Sequence, residues 1–231
     1  MKPSLRAWFD AFTPKQAPAS WRERLIVVLG AFIGIAVTGL IDHLIARQLG
    51  LSVWLIAPIA ASTVLVFGVP ASPLGQPWPL VFGNTISAVV GLICLHLIPE
   101  PLVAAPVAVA SAIFIMYMTR SLHPPGGAMA LLIVLTHTTD PLFVLFPAFT
   151  SSAVLVAVGA AYSVVTKRNY PHVPVPPKPE ALPAPISEAD MRAALAETGT
   201  ALDITPDELE TLLESATRHS QQRLKTLSSE K

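Results

Sequence analysis

The chain has 231 residues, 52% hydrophobic and 13% charged, and its basic and acidic side chains cancel to a net charge of zero. Mean hydropathy is +0.59, well outside the range of a soluble globular domain. Between residues 25 and 165 the only charged side chains are Asp42, Arg47, Glu100, Arg120 and Asp140. That is too few to solvate the outside of a soluble core, so a soluble domain is excluded, an integral membrane protein is expected and no nucleic-acid partner is foreseen.

Residues 1–24 form a basic, aromatic tail without the apolar stretch and small-residue cleavage site of a secretory signal. Within it "SLRAWFDAF" reads either as an interfacial amphipathic stretch, with Leu5, Trp8, Phe9 and Phe12 on one side, or as a plain loop. Six apolar segments follow, at 25–45, 53–69, 80–98, 103–119, 122–135 and 142–166. A crossing helix needs roughly 20 apolar residues. The first, third and sixth reach that length and the fourth nearly does. The second and fifth are short, and each starts at proline, in "APIAAST" and "HPPGGAM". The fold class expected is therefore all-α, a polytopic bundle of about six apolar segments.

Basic residues at both ends, Lys2, Arg6, Lys15, Arg22 and Arg24 before the body and Lys167 and Arg168 after it, place both termini in the cytoplasm. Six crossings satisfy this, and so do four with two re-entrant half-helices. On the first count Arg47 falls outside, against the rule. Shifting the chain by 67 or 68 residues brings Pro58 onto Pro125, Pro73 onto Pro141, Pro79 onto Pro147 and Gly91 onto Gly159. A 3+3 repeat is one reading of this. Three crossings per unit would invert the second unit, the plan of many transporters. The chance alignment of apolar segments is the other reading.

After the body, residues 167–186 are a proline-rich linker, "NYPHVPVPPKPEALPAP" at its centre. Residues 187–231 carry two short helical patterns, one capped by Ser187 and one by Thr205, the second with Leu209, Leu212, Leu213 and Ala216 on one stripe. A docking segment or a solvated appendage fits this tail best.

The candidate site is His123-Pro124-Pro125-Gly126-Gly127. Prolines at a helix start lose few useful donors, and the glycines leave the backbone bare. A small anion can then approach the N–H groups at the positive end of the helix dipole. A tight turn between two helices is the plainer alternative. Ser62 and Thr63 in the matching short segment add hydroxyls. Arg120 is either a snorkelling anchor or a charge that attracts substrate. Asn84 either binds helices together or lines the pathway. Asp42 and His43 could relay protons, but an interfacial pair facing water is the reading preferred, and His96 and His137 are expected as interfacial residues. The single cysteine, Cys94, cannot form an intrachain disulfide, and the histidines lack ligand spacing, so neither a metal nor a cofactor is expected. No hydrolase, kinase, phosphate-loop or dinucleotide pattern is present, and an enzyme is not expected.

The run "RSLHPPGGAMALL", preceded by "APIAASTVLVFGVPASPLGQPW", resembles the HPP family of integral membrane proteins, named for this His-Pro-Pro. The resemblance covers about residues 25–166. It implies a membrane transporter of a small inorganic anion, nitrite in particular, since members from cyanobacteria and chloroplasts are implicated in nitrite transport. By the same resemblance the setting is a bacterial inner membrane, and the partners are the bilayer, the anion and, in a homo-oligomer, further copies of the chain. Some members carry a C-terminal pair of CBS modules, and this tail matches at most their helical lead-in. The alternative is a non-transporting scaffold or sensor that acts through the C-terminal helices.

Overall fold

The structure is a computed structural model, and it describes residues 20–51 and 55–173, together with Leu209 and Leu213. The described body, within Trp21–Pro176, is one compact all-helical unit, while Leu209 and Leu213, both helical, belong to a separate unit. The expected interfacial stretch at 4–12 and most of the two tail helices lie outside the described residues.

Six helices make the body. Helix α1 spans Trp21–Leu49. At about 1.5 Å per residue its 29 residues reach about 43 Å, longer than a hydrocarbon core of about 30 Å. It ends where Gly50 turns left-handed at φ 69°, and the Leu51 N–H closes back on the Ala46 carbonyl at 2.8 Å. Gly30, Gly34, Thr38, Asp42 and Ala46 recur every fourth residue and are all buried. The other faces of α1 expose Val28, Phe32, Leu40 and Leu44, as a helix solvated by lipid should.

Helix α2 spans Ala57–Thr63 and continues through a wide turn at Val64–Gly68. A 3-10 turn at Pro73–Gly75 leads into α3, Pro77–Leu97. Helix α4 is Pro101–Met118, with the Glu100 carboxylate accepting from the Leu102 N–H at its start. Helix α5 is Pro124–Leu135. Helix α6, Thr150–Thr166, is preceded by a wide turn at Val144–Phe149. Four of the spans are long and apolar enough to cross a membrane, with 144–166 taken as one of them, and Ala57–Gly68 and Pro124–Leu135 are the shorter two. The sixth apolar segment differs from a plain continuous helix: Phe146 stands at φ −138°, ψ 122°, and the helix is broken there, before Pro147. Proline lacks the N–H that would carry the ladder through this point.

The packing obeys an exchange of halves. Helix α3 lies on α4 and α5, while α6 lies on α1 and α2; α4 touches α5 as α1 touches α2. Replacing α1, α2, α3 by α4, α5, α6 maps each of these contacts onto another. The detail agrees. A Cβ at Gly91 would meet Ile133 of α5, and one at Gly159 would meet Val66 beside α2, the positions that the 67- and 68-residue shifts superpose. Both short helices also start alike. The Gly126 N–H bonds the His123 carbonyl at 2.8 Å, and 67 residues earlier the Ile59 N–H bonds the Ile56 carbonyl at 3.0 Å.

Candidate functional site

Two glycines let α5 settle onto α3. A Cβ at Gly83 would lie 2.7 Å from the Ser121 carbonyl oxygen and 2.8 Å from His123 Cβ. One at Gly126 would lie 2.8 Å from Ser87 Oγ and 3.1 Å from the Gly83 carbonyl oxygen. This close approach carries the His123 ring into the centre of the bundle, where it has no exposed surface.

The imidazole bridges two elements. Its Nδ1 is 2.8 Å from the Leu74 carbonyl oxygen and its Nε2 is 2.8 Å from Ser62 Oγ. A carbonyl only accepts, so Nδ1 carries a proton and donates. In the neutral ring Nε2 must then accept from the Ser62 hydroxyl. That hydroxyl has one proton and a second acceptor, the Pro58 carbonyl, at 2.9 Å. When a second proton sits on the ring, Nε2 donates to Ser62 and Ser62 donates to Pro58. The same heavy atoms therefore serve both forms, and only the hydroxyl proton turns.

The chain of contacts continues into α3 and α6. Asn84 Nδ2 donates to Ser62 Oγ at 3.3 Å and to Ser152 Oγ at 3.1 Å. Ser152 donates to the Ala148 carbonyl at 2.7 Å. Asn84 Oδ1 is buried and has no hydrogen-bond partner. Asn84 and Ser152 are the pair that the 68-residue shift superposes, so the link lies where the two halves face one another. Beside Ser152, Ser151 donates to Asp42 Oδ2 of α1 at 2.6 Å. Asp42 Oδ1 and Thr38 Oγ1, one turn apart on α1, are buried without partners.

Of the residues singled out in the sequence, His123, Ser62 and Asn84 come together. Thr63 is buried, but its hydroxyl turns back to the Ile59 carbonyl at 2.8 Å. Pro125 is buried and Pro124 exposed, both in the first turn of α5. Gly126 is packed against α3 and its N–H is already bonded to His123. Gly127 faces the other way, with Val109 of α4 at 3.8 Å from its would-be Cβ. Arg120 is exposed in the α4–α5 turn at φ 52°. The proline pair thus leaves two positions without a donor, and the Gly126 N–H is used by the turn. The donors that converge are those of side chains.

Asp42 needs a correction. It was expected to face water with His43, and His43 is exposed, but Asp42 is fully buried against α6. The every-fourth-residue spacing of small and polar residues on α1 was the available signal. Ser151 and Ser152 were also missed. Their signal was the repeat, which sets Ser152 opposite Asn84. Among the described residues no cluster of His, Cys, Asp and Glu gathers that could hold a metal ion.

A family model described as "HPP, transmembrane region" matches residues 16–171. Two curated transmembrane proteins of Dictyostelium discoideum are similar. One is 38% identical over 175 residues, 72% of this chain and 61% of that protein. The other is 42% identical over 112 residues, 47% of this chain and 36% of that protein. The chain thus spans less than two thirds of the length of either relative. No solved structure matches.

Proposed function

The chain belongs to the HPP transmembrane family, and from that premise we propose that it carries a small inorganic anion, nitrite or a close analogue, across the bilayer. One observation carries the reading: the line His123–Ser62–Asn84–Ser152, buried and hydrogen-bonded across four helices of the bundle. Polar groups inside a membrane protein are costly and are concentrated where a pathway or a binding site uses them. Interhelical hydrogen bonds of this kind add only about 0.6 kcal/mol each on average, so stability alone is a thin reason to keep three.

The donors suit a small anion. The Asn84 amide, the Ser62 hydroxyl and, once it holds its second proton, His123 Nε2 converge from three helices. An anion entering between them would replace Ser62 as the shared partner. The two short helices that frame the site, and the broken start of α6, resemble the interrupted segments that line transporter sites. The site is closed to both sides, so passage requires one half to move against the other.

Uptake of labelled nitrite, nitrate and other small anions into proteoliposomes tests the reading. Saturable uptake that Ser62→Ala or Asn84→Ala lowers at least tenfold, with insertion intact, is the expected result. Correctly inserted protein that moves none of these anions would leave a scaffold or sensor as the better account.

A further inference from the structure

Asp42 sits in the bundle with no countercharge among the described residues. The elements packed against α1 are α6, α2 and its wide turn, and α2 and that turn contain no titratable side chain at all. On α6 the one titratable side chain is Tyr162, whose hydroxyl is committed to the Ile26 carbonyl at 2.8 Å, four turns away from Asp42 along α1. Beyond its end, Arg168 donates to the Phe67 carbonyl at that same far side. On α1 itself His43 and Arg47 point outward. A bare carboxylate here would keep its charge only against the cost of losing its hydration.

Its surroundings are nonetheless arranged around it. Ser151 donates to Oδ2, which favours the anion. Thr38, one turn back, differs from the helix hydroxyls that back-bond to their own helix. Thr63, Thr85, Thr119, Thr136, Ser152 and Thr166 each donate to the carbonyl four residues earlier. The Thr38 hydroxyl does not; it is buried and unpartnered, as is Asp42 Oδ1 on the same face. A hydroxyl can donate or accept. It can donate to Oδ1 when Asp42 is ionised and accept from Oδ1–H when Asp42 is protonated. Two open oxygens suit a proton rather than a hard metal cation, which gathers about six or more oxygens.

We propose that Asp42, with Thr38 and Ser151 as its hydroxyl partners, is a proton-carrying site that loads and unloads during the working cycle. The O–H bond of the acid forms at Oδ1 and breaks to release the proton to water, leaving the carboxylate held by Ser151. Ser151 is the chain neighbour of Ser152, so a change at Asp42 is felt by the line that ends at His123. The coupling of this proton to an anion rests on the transport reading; the site itself does not.

The test therefore needs no anion. Infrared difference spectra of the full chain in lipid nanodiscs, acid minus alkaline, are expected to contain a carboxylic-acid C=O band. Among the C=O bands of the chain's fifteen acidic side chains, the Asp42 component should vanish in Asp42→Asn, which keeps the Ser151 contact, and move in frequency in Thr38→Val. If Asp42→Asn does not fold, Thr38→Val and Ser151→Ala carry the test by band position. A band unaffected by all three, or an Asp42 band that persists unchanged across the whole pH range, overturns the proposal. So does loss of the band on adding sodium at constant pH, which would make the occupant a metal cation.

Discussion

His123 is held by one carbonyl and one hydroxyl, and each bond is to a different element. Replacing it by Ala leaves the Leu74 carbonyl and Ser62 without their partner. We expect a loss of about 1–3 kcal/mol from the buried carbonyl, read as a lower unfolding midpoint in detergent. Neighbouring glycines separate two roles that the sequence alone could not. Gly126→Ala would press a methyl to 3.1 Å from the Gly83 carbonyl oxygen and 2.8 Å from Ser87 Oγ, costing about 1–3 kcal/mol as overpacking. Gly127→Ala has room and should be neutral or stabilising by up to about 1 kcal/mol through helix propensity. Parallel melts of the two variants check this, and equal melting points would reject the packing assigned to Gly126. The motif was legible as a helix start with polar company. Which glycine touches α3 was not, because that depends on the rotation of α5 about its axis. His123, Ser62 and Asn84 were readable as rare polar groups in apolar runs. Asp42 was misread because its position near the end of its segment suggested water, whereas the seam from Gly30 to Ala46 turns it inward.

At the scale of the element, the wide turn after α2 does a specific job. It swings Phe67 under α1, where the ring fills the space left by Gly30 and Gly34 and meets Tyr162 edge-on at 5.5 Å. Phe67→Ala should open a cavity between three helices and cost about 3–5 kcal/mol. Thermal unfolding measures it, and a loss below about 1 kcal/mol would mean that α1 and α6 hold together without the ring. The six apolar segments and the proline starts were visible as runs and breaks. The interruption at Phe146 was not separated from the rest of its segment, since Pro147 alone is compatible with a kink. The two short helices share their opening turn, yet one begins with His123 and the other with Ile56. The halves are thus alike in path and unlike in chemistry, which hydropathy alone cannot reveal.

For the molecule as a whole, the basic residues at both ends lead us to expect both termini in the cytoplasm. Reporters active on only one side of the membrane, fused to each end, should give the same signal; opposite signals would reject an even number of crossings. The body also extends beyond its last span. Tyr170 is buried and donates to the Gly75 carbonyl at 3.1 Å, Arg168 donates to Phe67, and the His172 N–H bonds Gln76 Oε1 at 2.8 Å. Burial pushes the Tyr170 phenol above its usual value, so it stays a donor through neutral pH. Truncation after Val173 should leave melting and uptake near those of the full chain, while truncation after Thr166 should lower both. Equal behaviour of the two would show that these contacts hold nothing.

The exchange of partners between halves has a consequence for biosynthesis. Phe67 can cover Gly30 and Gly34 of helix α1 early, but Asp42 finds its partner only when α6 arrives, since Ser151 follows it by 109 residues. At a synthesis rate of about 5–20 residues per second, α1 waits about 5–20 s in the bilayer with the Asp42 carboxyl side chain uncovered. Either the insertion machinery shelters it through that interval or the helix sits shallowly until the last span draws it in. Nascent chains stalled at successive lengths should therefore keep a probe on Asp42 close to the insertion machinery until α6 has emerged, and release it only then.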